Sequence, residues 1–526
     1  MARDKSVFEN LPAAGQVTGA ETPEALQRIT TDTSFFGHPR GLSTLFFTEM
    51  WERMAYYGIR PLLVLFMSAA ILDGGFGFDR TTASSIVGIY AASVYLACLP
   101  GGWIADRLLG LRRAIWYGAI LIALGQISVA LSVVFARPLF FLGLILIVFG
   151  TGLLKPNISA IVGDLYPEGG SRRDAGFSIF YMGINIGALI APLVTGFLGE
   201  KVGWAFGFGA GGVAMLLGIV QYRLRAGPTL GPIGTHPTGT PKEQRIVKLA
   251  IVATLTVIGV VAALAIADLI HINPVAVAER MVMVMLGTVL VYFAYLLFSG
   301  GLTGDEKKRI LVIVVLFLFA TIFWSAFEQA PTSLNLFARD YTNRMLFGWE
   351  MPTLWLQSVN SLFVIALAPV FAALWTGLGR RNRDPSSPAK FAFGLLFAGF
   401  GFLLMVPAAN LIIGAGGAIR VSALWLVASY FLQTIGELSL SPVGLSSMTK
   451  LAPRAYVGRM MGVWFMAAAL GNLIAGLVGG HVNPENLEQM PLLFRNTALS
   501  LFVACAVLAA LIIPIRRMMR EVPGKH

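Results

Sequence analysis

Charged side chains are scarce in this sequence: Asp, Glu, Lys and Arg make up 13% of its 526 residues, about half the share of a soluble protein. That leaves too little polar surface for the several water-facing domains such a length would form. Cysteine is scarcer still. Cys98 and Cys505 are the only two; both lie in apolar stretches as small packing residues, and no redox compartment can be read from them. The five histidines have no zinc-type spacing with cysteine, no phosphate-binding Walker loop occurs, and His271 stands alone at the end of an apolar run with no nucleophile near it. No metal, cofactor or catalytic residue is expected, and an enzyme is disfavoured. The opening MARDKSVFENLPAAGQ lacks the apolar core of a cleavable signal peptide. The first apolar helix must therefore direct insertion itself, and residues before about 34 are expected to be mobile.

What the chain has instead is apolar residues, 56% of the total, in long runs. A bilayer crossing needs about 20 of them in a row. Reading in that window gives fourteen helices, at roughly 41–70, 82–104, 114–135, 138–163, 176–199, 204–222, 246–270, 275–299, 309–338, 352–376, 389–413, 419–448, 456–480 and 496–515. Between Arg225 and Arg245 runs AGPTLGPIGTHPTGTPKEQ, whose Pro, Gly and Thr predict a flexible linker. The expected organisation is a cytoplasmic N-terminal segment 1–40, a six-helix bundle 41–224, the linker 225–245, an inserted two-helix hairpin 246–299, a second six-helix bundle 300–515 and a cytoplasmic tail 516–526.

A net charge of +12 would point to nucleic acid in a soluble protein. Here the basic residues sit at helix ends: 28 of the 39 fall on the side of the N-terminus, 8 on the other side and 3 inside windows. That bias obeys the positive-inside rule. It predicts an integral plasma-membrane protein with both termini cytoplasmic and no nucleic-acid partner. No oligomer signal stands out, so a monomer is expected.

Ionisable groups inside spans are costly and by default mark function. The first window carries Glu49, Glu52, Arg53, Tyr56, Tyr57 and Arg60. On a helical period Glu49, Arg53, Tyr56 and Arg60 fall near one stripe, with Glu52 beside it. Such a stripe cannot look at lipid. It can be an ion pair that only locks helices together, but two carboxylates beside one permanently charged guanidinium suit proton exchange better. Lys155, in GTGLLKPNIS, is too far from either interface to snorkel and must meet a carboxylate or an anionic substrate; Pro156 after it marks a kink suited to a gate. In the second half Glu328 lies in FWSAFEQAP and Glu437 in GELSLSPVG, both mid-window. Trp324 is one turn before the first and Ser441 one turn after the second. Asp268 is near a window end and reads as interfacial. Three cations from the first half thus oppose two acids from the second. A zwitterion with separated charges, such as a short peptide, fits a cavity between them. Tyr56, Tyr57, Tyr95, Trp324, Trp464 and Phe465 can supply adaptable side-chain pockets, although a single aromatic in a span more often packs or faces lipid.

These residues also carry a family resemblance. From about His38 to Arg517 the chain resembles the proton-dependent oligopeptide transporters of the major facilitator superfamily, bacterial type. The motifs are Glu49-x-x-Glu52-Arg53 with Tyr56-Tyr57-Gly58, GGWIADRLLGLRR at 101–113, GTGLLKPNIS at 150–159, FSIFYMGINIGALIAP at 177–192, FWSAFEQ at 323–329 and GELSLSPVGLS at 436–446. The second of these marks the whole superfamily; the other five together are specific. The resemblance implies an all-α polytopic protein of the major facilitator fold, with two pseudo-symmetric six-helix bundles, two extra helices between them and alternating access around a central site. It implies protons as the coupling ion and di- and tripeptides as substrate. Carried over by motif, Glu49, Glu52, Arg53 and Glu328 couple protons. Arg53, Arg60 and Lys155 face the peptide carboxylate, and Glu437, Asn185 and Asn360 its amino group. Tyr56, Tyr57, Tyr95, Trp324, Trp464, Phe465 and Ser441 line the pocket. Arg60 with Glu328 resembles an outer gate pair and Lys155 with Glu437 an inner one. The second window, SSIVGIYAASVYLACLPGG, lacks the histidine of animal members, so coupling must rest on carboxylates. Plant relatives carry nitrate or other anions; a small anion needs no acidic wall, so Glu328 and Glu437 count against that alternative. A drug/proton antiporter is disfavoured by the three buried cations, and a non-transporting receptor would bind peptide without moving it.

Overall fold

The computed structural model describes residues 23–381, 383–453, 456–483 and 485–520. Among these, fourteen helices run 22 to 32 residues. They are α1 (Arg40–Ser68), α2 (Arg80–Ile104), α3 (Leu111–Ser132), α4 (Arg137–Asp164), α5 (Gly170–Phe197), α6 (Trp204–Leu230), α7 (Pro241–Ile266), α8 (Pro274–Ser299), α9 (Gly304–Phe327), α10 (Ser358–Arg380), α11 (Ser387–Gly414), α12 (Leu424–Leu451), α13 (Val457–Gly479) and α14 (Gln489–Arg520). Twelve are long and apolar enough to cross a membrane. The two that fall short of that measure are α1 and α12, and the cause is chemical: they carry Glu49, Glu52, Arg53 and Arg60 in one case and Gln433 and Glu437 in the other.

Local chemistry sets the helix ends. Thr240 and Glu243 close a reciprocal cap on α7, Thr303 and Glu306 do the same for α9, and Asp79 accepts the Thr82 amide at the start of α2. In lipid there is no hydrophobic drive between helices, so close packing holds them together. Glycines make it possible. A Cβ on Gly101 of α2 would lie 2.0 Å from the Gly152 carbonyl of α4, and one on Gly88 of α2 would lie 2.9 Å from the Gly476 Cα of α13. The second crossing joins the two halves of the chain. Of the inserted hairpin, α8 packs on α2 and α13, burying Met285, Val289 and Phe293, whereas Val247 is the only buried residue of α7.

Helix α9 is broken. It stops at Phe327, and Pro331, which has no amide proton to give, follows in a wide turn over Ala330–Leu334 before a short helix Asn335–Tyr341. Interrupted helices at this depth are tolerated where protein or a cavity surrounds them.

Three boundaries differ from the sequence reading. Helix α6 continues to Leu230, which is fully buried, so the non-helical stretch shrinks from the expected 225–245 to 231–240. That stretch is docked. Thr238 N donates to the Asp106 carbonyl at 2.7 Å and Arg112 N to the Gly234 carbonyl at 2.9 Å. Likewise Pro23–Thr31, in the segment expected to be mobile, is a helix held by Arg172, whose guanidinium donates to the Thr30 and Asp32 carbonyls at 2.8 Å each. Residues 1–22 of that segment lie outside the described residues. At the other end α14 runs to Arg520, into the expected tail.

Candidate functional site

The polar stripe of α1 is buried along its whole length: Glu49, Glu52, Arg53, Tyr56 and Arg60 are each at most 6% exposed. Arg53 Nε lies 3.2 Å from Glu49 Oε1, and the guanidinium also bonds Glu52. Thr151 Oγ1 of α4 donates to Glu52 Oε1 at 3.4 Å, while Glu49 Oε2 has no hydrogen-bond partner among the described residues. The cluster therefore holds two carboxylates against one guanidinium. Two turns along, Arg60 bonds Glu328 at the break of α9, and its Nη2 also donates to Asn472 Oδ1 at 2.7 Å. The Tyr56 ring lies between these groups, 5.1 Å from the Arg53 guanidinium and 5.8 Å from that of Arg60, so it contacts both cations through its face.

Beside this stripe a cavity opens between the two halves of the chain. Eight of the expected residues line it: Tyr57, Arg60, Tyr95 and Asn185 from the first half, Trp324, Glu328, Asn360 and Glu437 from the second. Asn360 Nδ2 donates to Thr434 Oγ1 at 2.9 Å and to Glu437 Oε2 at 3.4 Å, which points the Glu437 carboxylate while leaving its charge unpaired by any cation among the described residues. Five polar residues in the wall were not expected from sequence: Tyr181, Gln357, Ser361, Tyr430 and Gln433. Helical spacing could have found three of them. Tyr181 is one turn before Asn185, and Tyr430, Gln433 and Glu437 form a single stripe.

The other expected residues stand outside the lining. Glu49, Glu52, Arg53 and Tyr56 form the buried layer behind it. Lys155 Nζ lies 4.5 Å from the centroid of the Tyr95 ring, and Phe465 stacks on the same ring at 6.4 Å. Lys155 and Glu437, the expected inner gate pair, form no ion pair among the described residues. Trp464 packs on Phe391 and against the Gly444 backbone, where a Cβ would meet its ring at 2.1 Å. Ser441 is half-buried on α12 without reaching the cavity. Aromatic and hydroxyl side chains in spans serve packing as readily as binding, and their spacing does not separate the two uses.

One end of the cavity is zipped shut. On the face away from the N-terminal helix, Asn335 Nδ2 donates to the Pro61 carbonyl at 2.7 Å, Ser358 Oγ to the Leu189 carbonyl at 2.8 Å and Trp355 Nε1 to the Leu193 carbonyl at 3.0 Å. At the end of α5, Glu200 accepts from Thr353 N and Oγ1 at 2.8 Å each and from Leu354 N at 3.1 Å, with Arg344 3.7 Å away. Burial holds the Arg344 guanidinium below its ordinary value, with Glu200 and Glu350 pulling the other way. Arg80 adds an ion pair to Asp340 at 2.6 Å. Each of these contacts crosses from the first half of the chain to the second.

The site's setting recurs in known proteins. A sequence profile of the POT family matches residues 112–491. A peptide transporter of Yersinia enterocolitica is 50% identical over 94% of this chain and 98% of its own length. A di-/tripeptide transporter of Lactococcus lactis subsp. cremoris is 40% identical over 84% of this chain and 90% of its own. Among solved structures, that of a peptide transporter POT in complex with sulfate superposes with a TM-score of 0.86 at 40% identity, covering 94% of this chain and 99% of that one.

Proposed function

We propose, from the premise that this chain belongs to the POT family, that it is a proton-coupled symporter importing di- and tripeptides by alternating access. It is a membrane transporter of the major facilitator fold and not an enzyme. The observation that carries the peptide reading is the cavity between the bundles. One wall holds Glu437, oriented by Asn360 and without a cation partner among the described residues; the facing wall holds Arg60, with Arg53 and Lys155 behind the rings of Tyr56 and Tyr95.

The geometry gives each group a task. Glu437 and Asn360 take the peptide's ammonium group, with Asn185 across from them. Arg60, once released from Glu328, faces the carboxylate, and Arg53 and Lys155 add to the positive side. The neutral lining of Tyr57, Tyr95, Tyr181 and Trp324 accepts varied side chains, since aromatic faces and hydroxyls adapt to many shapes. The proton acts on the Glu49–Glu52–Arg53 cluster or on Glu328. Protonating Glu328 frees Arg60, and because that pair crosses between bundles, it also unlocks the closed end. We read that end as the outer side from the positive-inside bias of the loops. On this reading both termini are cytoplasmic, the membrane is a bacterial inner membrane, and a single copy is the working unit.

The direct test is uptake of labelled dialanine into liposomes holding the purified protein, with an imposed acid-outside gradient. Accumulation that collapses with a protonophore and is competed by unlabelled dipeptide supports the reading. Equal competition by nitrate would replace it with the anion alternative, and saturable binding without flux would leave a receptor.

The Glu200 latch makes a second prediction. Glu200→Ala removes three hydrogen bonds that hold the outer end closed, worth about 2 kcal/mol together. The outward-open population should rise about 30-fold. Ser361, in the cavity wall, changed to Cys in a background without Cys98 and Cys505, reports it. An impermeant thiol reagent added outside should label the latch variant correspondingly faster. Unchanged labelling would mean the latch carries no load.

A further inference from the structure

A second cavity lies outside the transport path, in a fissure between α13 and α14 whose floor is α9. Its lining is polar for a membrane setting. Gln489, Asn496, Thr497 and Ser500 fall on one stripe of α14, and Ser325 and Gln329 form the floor. His481 sits exposed at the mouth. The stripe begins at the outer end of α14 and reaches about 16 Å inward by Ser500, roughly half the thickness of the hydrocarbon core.

Polar groups open to hydrocarbon are costly unless something polar meets them. Thr497 accepts from Gln329 Nε2 at 3.3 Å, and Ser500 Oγ folds back to the Thr497 carbonyl at 2.8 Å. Asn496 is exposed, and nothing in the protein bonds its amide among the described residues. Just below, Leu499, Val503 and Val507 are exposed along α14 at helical spacing. A polar slot at headgroup-to-midplane depth that runs into an apolar stripe has the chemistry of an amphipathic occupant.

We propose that this fissure binds a phospholipid of the outer leaflet, its headgroup and glycerol esters in the slot and an acyl chain along Leu499, Val503 and Val507. No Lys or Arg is among the lining residues. A neutral, zwitterionic headgroup is therefore favoured over an anionic one. The occupant reaches Gln329, which neighbours the gate acid Glu328 in sequence and is tied to the wide turn by Ser333 at 3.0 Å.

The test is native mass spectrometry of the full-length protein with phosphatidylethanolamine or phosphatidylglycerol added. Phosphatidylethanolamine should stay bound, and N496L/S500L, which makes the slot apolar, should lower its retention about tenfold by removing two polar partners. On the unaltered protein, phosphatidylethanolamine carrying a headgroup photocrosslinker should label the 489–500 segment, so the result does not hinge on the variant folding. Equal retention by the variant, or crosslinks that map elsewhere, would overturn the proposal and leave a slot that holds only water. Phosphatidylglycerol retained as well as phosphatidylethanolamine would overturn the zwitterion assignment.

Discussion

Proteoliposomes carrying Glu49→Gln or Glu52→Gln should still exchange labelled dipeptide across the membrane when it is present on both sides, yet fail to concentrate it when a proton gradient is imposed. The cluster on α1 holds two carboxylates and one guanidinium, one negative charge too many for balance. A single proton neutralises it. An amide at either position imitates that protonated form permanently, because it keeps the shape and an acceptor for Arg53 while losing the ability to release a proton. Binding and rocking survive; the tie between them and the gradient does not. At 100 mV one coupled charge supplies about 2.3 kcal/mol, which is about 50-fold accumulation. That factor should vanish in both variants while counterflow stays within about threefold of the parent. Full gradient-driven uptake in the pair of variants would remove the cluster from the coupling mechanism.

Glu437→Gln should weaken dialanine binding about 100-fold. The carboxylate is aimed into the cavity by Asn360 and pairs with no cation among the described residues, so the substrate's ammonium group is its natural partner. Truncating one member of a desolvated, hydrogen-bonded charge pair costs about 3 kcal/mol, and each 1.4 kcal/mol is about tenfold in affinity. The control is N-acetyl-dialanine, which has no ammonium group. It should bind the parent poorly and the variant no worse. Titration calorimetry of both ligands on both proteins decides it: an equal loss for the two ligands would mean that Glu437 shapes the cavity and does not read the amino terminus.

Most of the spans and the charged part of the site were legible because lipid is an unforgiving solvent. A run of apolar residues has few other uses, and an Arg53 or a Glu328 inside one has to face water or a partner. Neutral polar residues carry no such penalty. Tyr181, Gln357, Tyr430 and Gln433 line the cavity, yet similar residues pack between helices throughout the chain, so the sequence alone did not single them out. Trp464 and Ser441 were drawn in by the same ambiguity and sit outside it. The Pro- and Gly-rich stretch after α6 was read as free chain because composition reports the lack of a helix, whereas the backbone bonds that dock Thr238 and Gly234 depend on a loop more than a hundred residues earlier. The separation of Lys155 from Glu437 has a different origin. A transporter's sequence encodes more than one arrangement, and a single conformation closes only one end.

The interruption in α9 changes how the closed end can come apart. Glu328 caps the inner stretch, and beyond the wide turn the seven residues Asn335–Tyr341 carry Asp340, the partner of Arg80. Chain on either side of such a joint can turn without dragging the other. The stroke that exposes the cavity can therefore begin as the swing of a short lever, with the heavy bodies following, and the first barrier to substrate entry is set by a few bonds at that joint and not by the full surface between the bundles.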